Sequence, residues 1–222
     1  MTFREFLSVN VGGRVTNLSE ARANKDGKYK PKNKTALEKL VANNNINLGD
    51  IDISNVKNLS GLFGQTKRTD FSGIENWDTS HVTNMSGMFS KCHNFNEPIG
   101  NWDVSNVEDM SYMFDGAKKF NQPLNNWDVG NVLFMDAMFR EAESFNQPLN
   151  SWDTKKVRDM STMFFDAKKF NQPLDKWNVD RTNVDGMFVG AKAFDQDKTI
   201  SIWKEKYPKL SYSRLFANNV II

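Results

Sequence analysis

Aspartate recurs at Asp52, Asp78, Asp103, Asp128 and Asp153, each directly after a bulky apolar residue. A row of carboxylates is the feature of this chain best suited to binding. If the row stacks at one strand spacing, neighbouring charges roughly 5 Å apart repel by about 0.8 kcal/mol in water and about 3 kcal/mol at an effective dielectric of 20, so each step needs an offset. Three chemistries supply one: amide hydrogens from the turn two residues on, a Lys- or Arg-bearing partner, or a hard cation such as calcium. The candidate binding face comprises the outward positions of this row, Asn76, Asp78, Asn101, Asp103, Asn126, Asp128, Ser151, Asp153, Lys176 and Asn178.

Other reactive residue types point to structure. Cys92 and His93 are adjacent, but neighbours in a helix end point apart and no third group orients them, so they make no nucleophilic dyad. Cys92 instead takes the small-residue slot that Ala117, Ala142, Ala167 and Ala191 fill elsewhere. Methionine occupies two columns, Met85, Met110, Met135 and Met160, then Met88, Met113, Met138, Met163 and Met187. Such rows can ligate soft metals or form adaptable surfaces, but their place on an apolar stripe marks them as core. Like groups in rows, with His81 and His93 the only histidines, do not build a catalytic pocket of unlike groups. The expectation is no catalytic residue, no cofactor and no metal ligand set.

These residues are positioned by a repeat. Tryptophan stands at 77, 102, 127, 152 and 177, a strict period of 25, the signature of stacked units sharing one core. Within one unit, Val107, Met110, Met113, Phe114 and Ala117 predict a short helix, with Ser105 and Glu108 as its capping box. Pro123 bars continuation. Trp127 and Val129 then point to one side of a short strand and Asn126 and Asp128 to the other, so that strands of neighbouring repeats form a parallel sheet. Trp is expected inside, and the column Asn96, Asn121, Asn146 and Asn171 is expected to bond from repeat to repeat where the chain bends. The fold predicted is α/β: a leucine-rich-repeat-like right-handed solenoid with short parallel strands on one face and short helices on the other.

The units WDVSNVEDMSYMFDGAKKFNQPLNN and WDVGNVLFMDAMFREAESFNQPLNS resemble the repeat of the BspA-like bacterial leucine-rich repeat surface proteins. The resemblance covers about residues 51 to 202. It implies a solenoid, a role in protein binding or adhesion, a cell-surface or secreted location, and no catalytic residue.

The ends differ from the repeats. Residues 1–50 form a basic segment and helical cap, 51–202 about six repeats, and 203–222 a closing cap. Nine Lys and Arg against five acids give residues 1–50 a net charge of +4, which leaves −2 for the rest of a chain whose total is +2. An acidic repeat region does not track a nucleic-acid backbone. The alternative partner is a nucleic acid or anionic surface meeting the arm that holds Lys28, Lys30, Lys32 and Lys34. Gly12-Gly13 and Asp26-Gly27 predict turns. Thr35 and Glu38 predict a capping box opening a helix through Leu37, Leu40 and Val41. Arg4 and Glu5 sit where a secretion leader would be apolar, so the start does not read as a leader and a cytoplasmic location stays open. No apolar run approaches the roughly 20 residues of a membrane span, and the chain is expected to be a monomer that binds a protein partner.

Overall fold

A computed structural model of the chain describes residues 22–23 and 27–217. The turn expected at Gly12-Gly13 lies outside them, as does Asp26. Strand β1 (Arg22–Ala23) pairs antiparallel with β2 (Tyr29–Lys30), and Tyr29 bridges in parallel to Ile51 at the start of the first repeat. Helix α1 spans Lys34–Val41 and is capped by Asn33, whose side chain accepts from the Ala36 amide. The cap therefore lies two residues before the Thr35 expected from sequence. Ala36, Leu37, Leu40 and Val41 are buried. Buried Arg68 fixes the helix end to the first repeat, donating to the carbonyls of Val41, Asn43 and Ile46.

From Ile51 onward, successive repeats lie against each other in register. Single parallel bridges link Asn58, Asn84, Asp109, Phe134, Asp159 and Asn183 in sequence. Around them runs a regular ladder. Met110, Tyr112, Phe114 and Gly116 donate to the carbonyls of Phe134, Asp136, Met138 and Arg140 at 2.7–3.0 Å. Met85, Gly87, Phe89 and Lys91 do the same to the repeat that follows them, as do Met135, Ala137, Phe139 and Glu141. The carbonyl just before each donor accepts from the preceding repeat, so these peptide units all point one way along the stack. At the far end, the carbonyls of Arg214 and Leu215 close the row by accepting from Gly186 and Phe188.

This ladder occupies the segment where the sequence predicts a helix. Residues 111–116 are turns, as are their counterparts in other repeats. The apolar spacing admits both: Val107, Met110 and Met113 are three apart, and so are Phe114, Ala117 and Phe120, which fits linked i to i+3 turns, such as Met113 N–H to Met110 O and Ala117 N–H to Phe114 O, as well as one face of a helix. The reason for the turns is that the amides of Met110, Tyr112, Phe114 and Gly116 bond to the next repeat instead of along the chain. Each repeat also places two residues in the left-handed region, Gly87 and Lys91, then Tyr112 and Gly116, then Ala137 and Glu141, which no α-helix accepts. The capping box does not form: Ser105 donates its amide to the Asp103 carboxylate. Nor do Trp127 to Val129 make a strand ladder.

The core is one continuous cluster. Phe89, Phe114, Phe139 and Phe164 stack at 5.6–5.8 Å between ring centroids, and each lies 3.8–4.0 Å from a second ring in its own repeat, Phe95, Phe120, Phe145 or Phe170. Both methionine columns are buried. Trp102, Trp127, Trp152 and Trp177 are buried as well, each indole N–H donating to a carbonyl of the preceding repeat. The Ile99 carbonyl accepts from both the Trp102 amide and the Trp127 indole, which satisfies both of its lone pairs. The second helix, α2 (Gln196–Lys206), crosses the boundary expected at 202/203 and carries Trp203 into the same column, its indole donating to Leu174 O at 3.1 Å. A 3-10 turn, Tyr212–Phe216, follows.

Candidate interaction surfaces

Two sides of the stack present ordered polar groups. The first is the aspartate row. Of the ten outward positions singled out from sequence, Asn76, Asp78, Asn101, Asp103, Asn126, Asp128, Ser151, Asp153 and Lys176 are exposed and Asn178 is half-buried. Every carboxylate in the row accepts the amide two residues on: Asp52 from Ser54, Asp78 from Ser80, Asp103 from Ser105, Asp128 from Gly130 and Asp153 from Lys155, at 2.9–3.2 Å. Asn178 makes the same bond to Asp180. Thus the local turn offsets the repulsion along the row. The Ser105 hydroxyl and amide hold the Asp103 carboxyl below its ordinary value, and Ser80 does so for Asp78. At Asp52 burial works upward, but Ser54 and the Lys30 ammonium, 3.1 Å away, outweigh it and bring the carboxyl to about 2. Among the described residues no cluster of His, Cys, Asp and Glu is arranged to hold a metal ion.

The asparagine column is ordered in a similar manner. Asn96, Asn121 and Asn146 each accept the backbone amide of the next asparagine through the side-chain oxygen, at 2.8–2.9 Å. Cys92 is buried, and burial pushes its thiol up to about 12, so it is held as an inert thiol. The His93 ring bonds to the Gly116 carbonyl rather than to Cys92. In the N-terminal arm, Lys30 pairs with Asp52 and Lys34 reaches Glu38 and Ser60.

The second side is the ladder face, and there unlike groups converge. Asp115, 2% exposed, receives Arg140 Nε at 2.8 Å and Nη2 at 3.2 Å, Lys91 Nζ at 3.3 Å and the Ser90 hydroxyl at 3.3 Å. Lys91 also pairs with Glu141, and the Arg140 guanidinium lies 5.7 Å from the centre of the Tyr112 ring. The Ser111 hydroxyl donates to Asp136 at 2.6 Å. Burial, and the nearby Asp159, nevertheless hold the Asp136 carboxyl above its ordinary value. A shallow trough of about 390 Å³ leads to Tyr112 over Gly61, Gly64, Ser86, Gly87 and Ser90. Sequence reasoning did not find this face, because it looked for what recurs. The signal was loss of recurrence: Ser90, Asp115 and Arg140 share one column across three repeats.

No helix among the described residues is long and apolar enough to cross a membrane. A family model described as Mycoplasma protein of unknown function, DUF285, matches residues 34–133 and, overlapping them, residues 110–203. No curated protein and no solved structure matches the chain.

Proposed function

We propose that this chain, which belongs to the DUF285 family of Mycoplasma proteins of unknown function, is a non-enzymatic interaction or adhesion module that binds a protein partner as a monomer. The stacked repeats are read as a right-handed solenoid of the leucine-rich class, and their resemblance to BspA-like surface proteins supports an adhesive role. The observation that carries the reading is the ladder itself: four backbone bonds at each junction among the central repeats, over one unbroken core, make a rigid and extended surface. Such surfaces bind without paying to order themselves. The aspartate row and the ladder face are the two surfaces it offers.

The test is capture by the intact chain on beads from host-cell and own-cell extracts, with and without nuclease. Discrete proteins retained after nuclease treatment and displaced by free chain are expected. Retention of nuclease-sensitive material alone would shift the function to nucleic acid meeting the lysine-rich arm, and no saturable capture at all would overturn the interaction reading.

A further inference from the structure

The ladder face carries two residues that repeat architecture alone does not explain. Phe134 stands in the column of Asn58, Asn84, Asp109, Asp159 and Asn183. Each of those five accepts the amide two residues on through its side chain. Phe134 forgoes that bond and presents an aromatic ring 39% exposed. Tyr112, in the next repeat toward the N-terminus, shares a column with Gly61, Gly87, Ala137, Thr162 and Gly186, all with positive φ and none of them an aromatic residue. It too is left-handed, φ 59°, a conformation that disfavours a bulky side chain, and it is 43% exposed. They are the only large exposed hydrophobic residues among those described. Each gives up local stability where a neighbouring repeat keeps it, and strain retained beside exposed apolar surface points to use.

The two adjoin one another. Tyr112 donates its amide to Asp136 O, and Asp136 follows Phe134 by two residues. The charges around them do not balance. Lys91 and Arg140 are matched by Asp115 and Glu141, whereas among the described residues Asp109, Asp136 and Asp159 enter no ion pair. Tyr112 already takes the Arg140 guanidinium against its ring, and the exposed Phe134 ring, with carboxylates that lack an ion pair beside it, is complementary to another, which stacks on the ring while its edge donates to carboxylate oxygens. The glycine-floored trough leading to Tyr112 has room for the backbone that bears it.

We propose that the ladder face at Tyr112, Phe134 and Asp136 docks an extended, arginine-bearing segment of a partner protein. This rests on the interaction reading above and narrows it to one face and one chemistry. Arginine is favoured over lysine because the planar group covers the Phe134 ring as well as meeting the carboxylates.

Fluorescence polarisation with labelled Arg-Ser, Lys-Ser and Glu-Ser repeat peptides of equal length tests the proposal on the full chain. The Arg-Ser peptide is expected to bind saturably, at least threefold tighter than Lys-Ser, more weakly as salt rises, with no binding of Glu-Ser. Phe134→Asn, Tyr112→Gly and Asp136→Ser each install a residue found in the same column of another repeat, so the fold is expected to be retained, and thermal melts verify it. Each is expected to weaken Arg-Ser binding at least fivefold, while Asp103→Asn on the other side leaves it unchanged. Absence of Arg-Ser binding, equal binding of Arg-Ser and Lys-Ser that survives all three variants, or loss confined to Asp103→Asn would overturn the proposal. Extract capture that persists in Phe134→Asn and Tyr112→Gly would leave the module reading standing and remove this face from it.

Discussion

The aspartate row and the ladder face belong to the same repeats yet have diverged to different degrees. In the row, one hydrogen bond is made six times with little change, from Asp52 to Asn178. On the ladder face the backbone pattern is equally regular, but the side chains above it change from serine to aspartate to arginine in one column and from glycine to tyrosine to alanine in another. The row's carboxylates replace a bond that the turn requires, so their identity is tied to folding. On the ladder face one column, Asn58, Asn84, Asp109, Asp159 and Asn183, makes the same turn bond, but the ladder amides are satisfied by carbonyls of the next repeat, and the side chains above them are released for other work.

The comparison is tested first at the core beneath the row. Trp127→Ala empties a large buried aromatic site and orphans a bond to the Ile99 carbonyl, and should cost about 3–5 kcal/mol in chemical denaturation. A loss below about 1 kcal/mol would mean that the tryptophan column does not hold the row. The ladder face has one position expected to matter for stability. Asp115→Ala leaves Arg140 and Lys91 without their shared acceptor, and a cost of about 1–3 kcal/mol is expected because hydrogen bonds to buried charge are among the stronger ones.

A single row carboxylate should matter less. Asp103→Ala is expected to cost about 1 kcal/mol, the range of one exposed turn-capping bond, and the two sides should respond to pH with opposite signs. Asp52, Asp78 and Asp103 have folded-state values below those of the unfolded chain. Their stabilisation is therefore present above about pH 4 and is lost as pH falls toward about 2, the value at Asp52. Asp136 is raised, so its contribution is present below the ordinary carboxylate value and is lost as pH rises through its folded value. Melting curves of Asp103→Asn and Asp136→Asn between pH 2.5 and 7 check this: both variants carry a neutral side chain and should depart from the parent toward pH 7, Asp103→Asn melting below it and Asp136→Asn above it. The smallest effect expected is that of Tyr112→Gly, within about 0.5 kcal/mol of the parent, since relief of the left-handed backbone offsets the lost contact with Arg140. A large loss there would make Tyr112 a structural residue and remove the contrast between the two faces.

The amino-acid sequence by itself determined the period, the buried columns and the turn bonds of the aspartate row. Each of these is local, or is repeated identically, so one unit reveals all. Met110, Met113 and Phe114 were legible as core because burial depends on which residues are apolar. The path of the backbone through them was not, since spacings of three and four serve a helix and a chain of turns alike. Only the tertiary structure decided between them: the amides of Met110, Tyr112, Phe114 and Gly116 find acceptors in the next repeat, and a bond between residues 24 apart leaves no trace in the local pattern. The same holds for Arg68, whose role appears only when helix α1 lies against it, and for Ser90, Asp115 and Arg140, which become neighbours by stacking. What depends on contact between repeats required the stack itself to be seen.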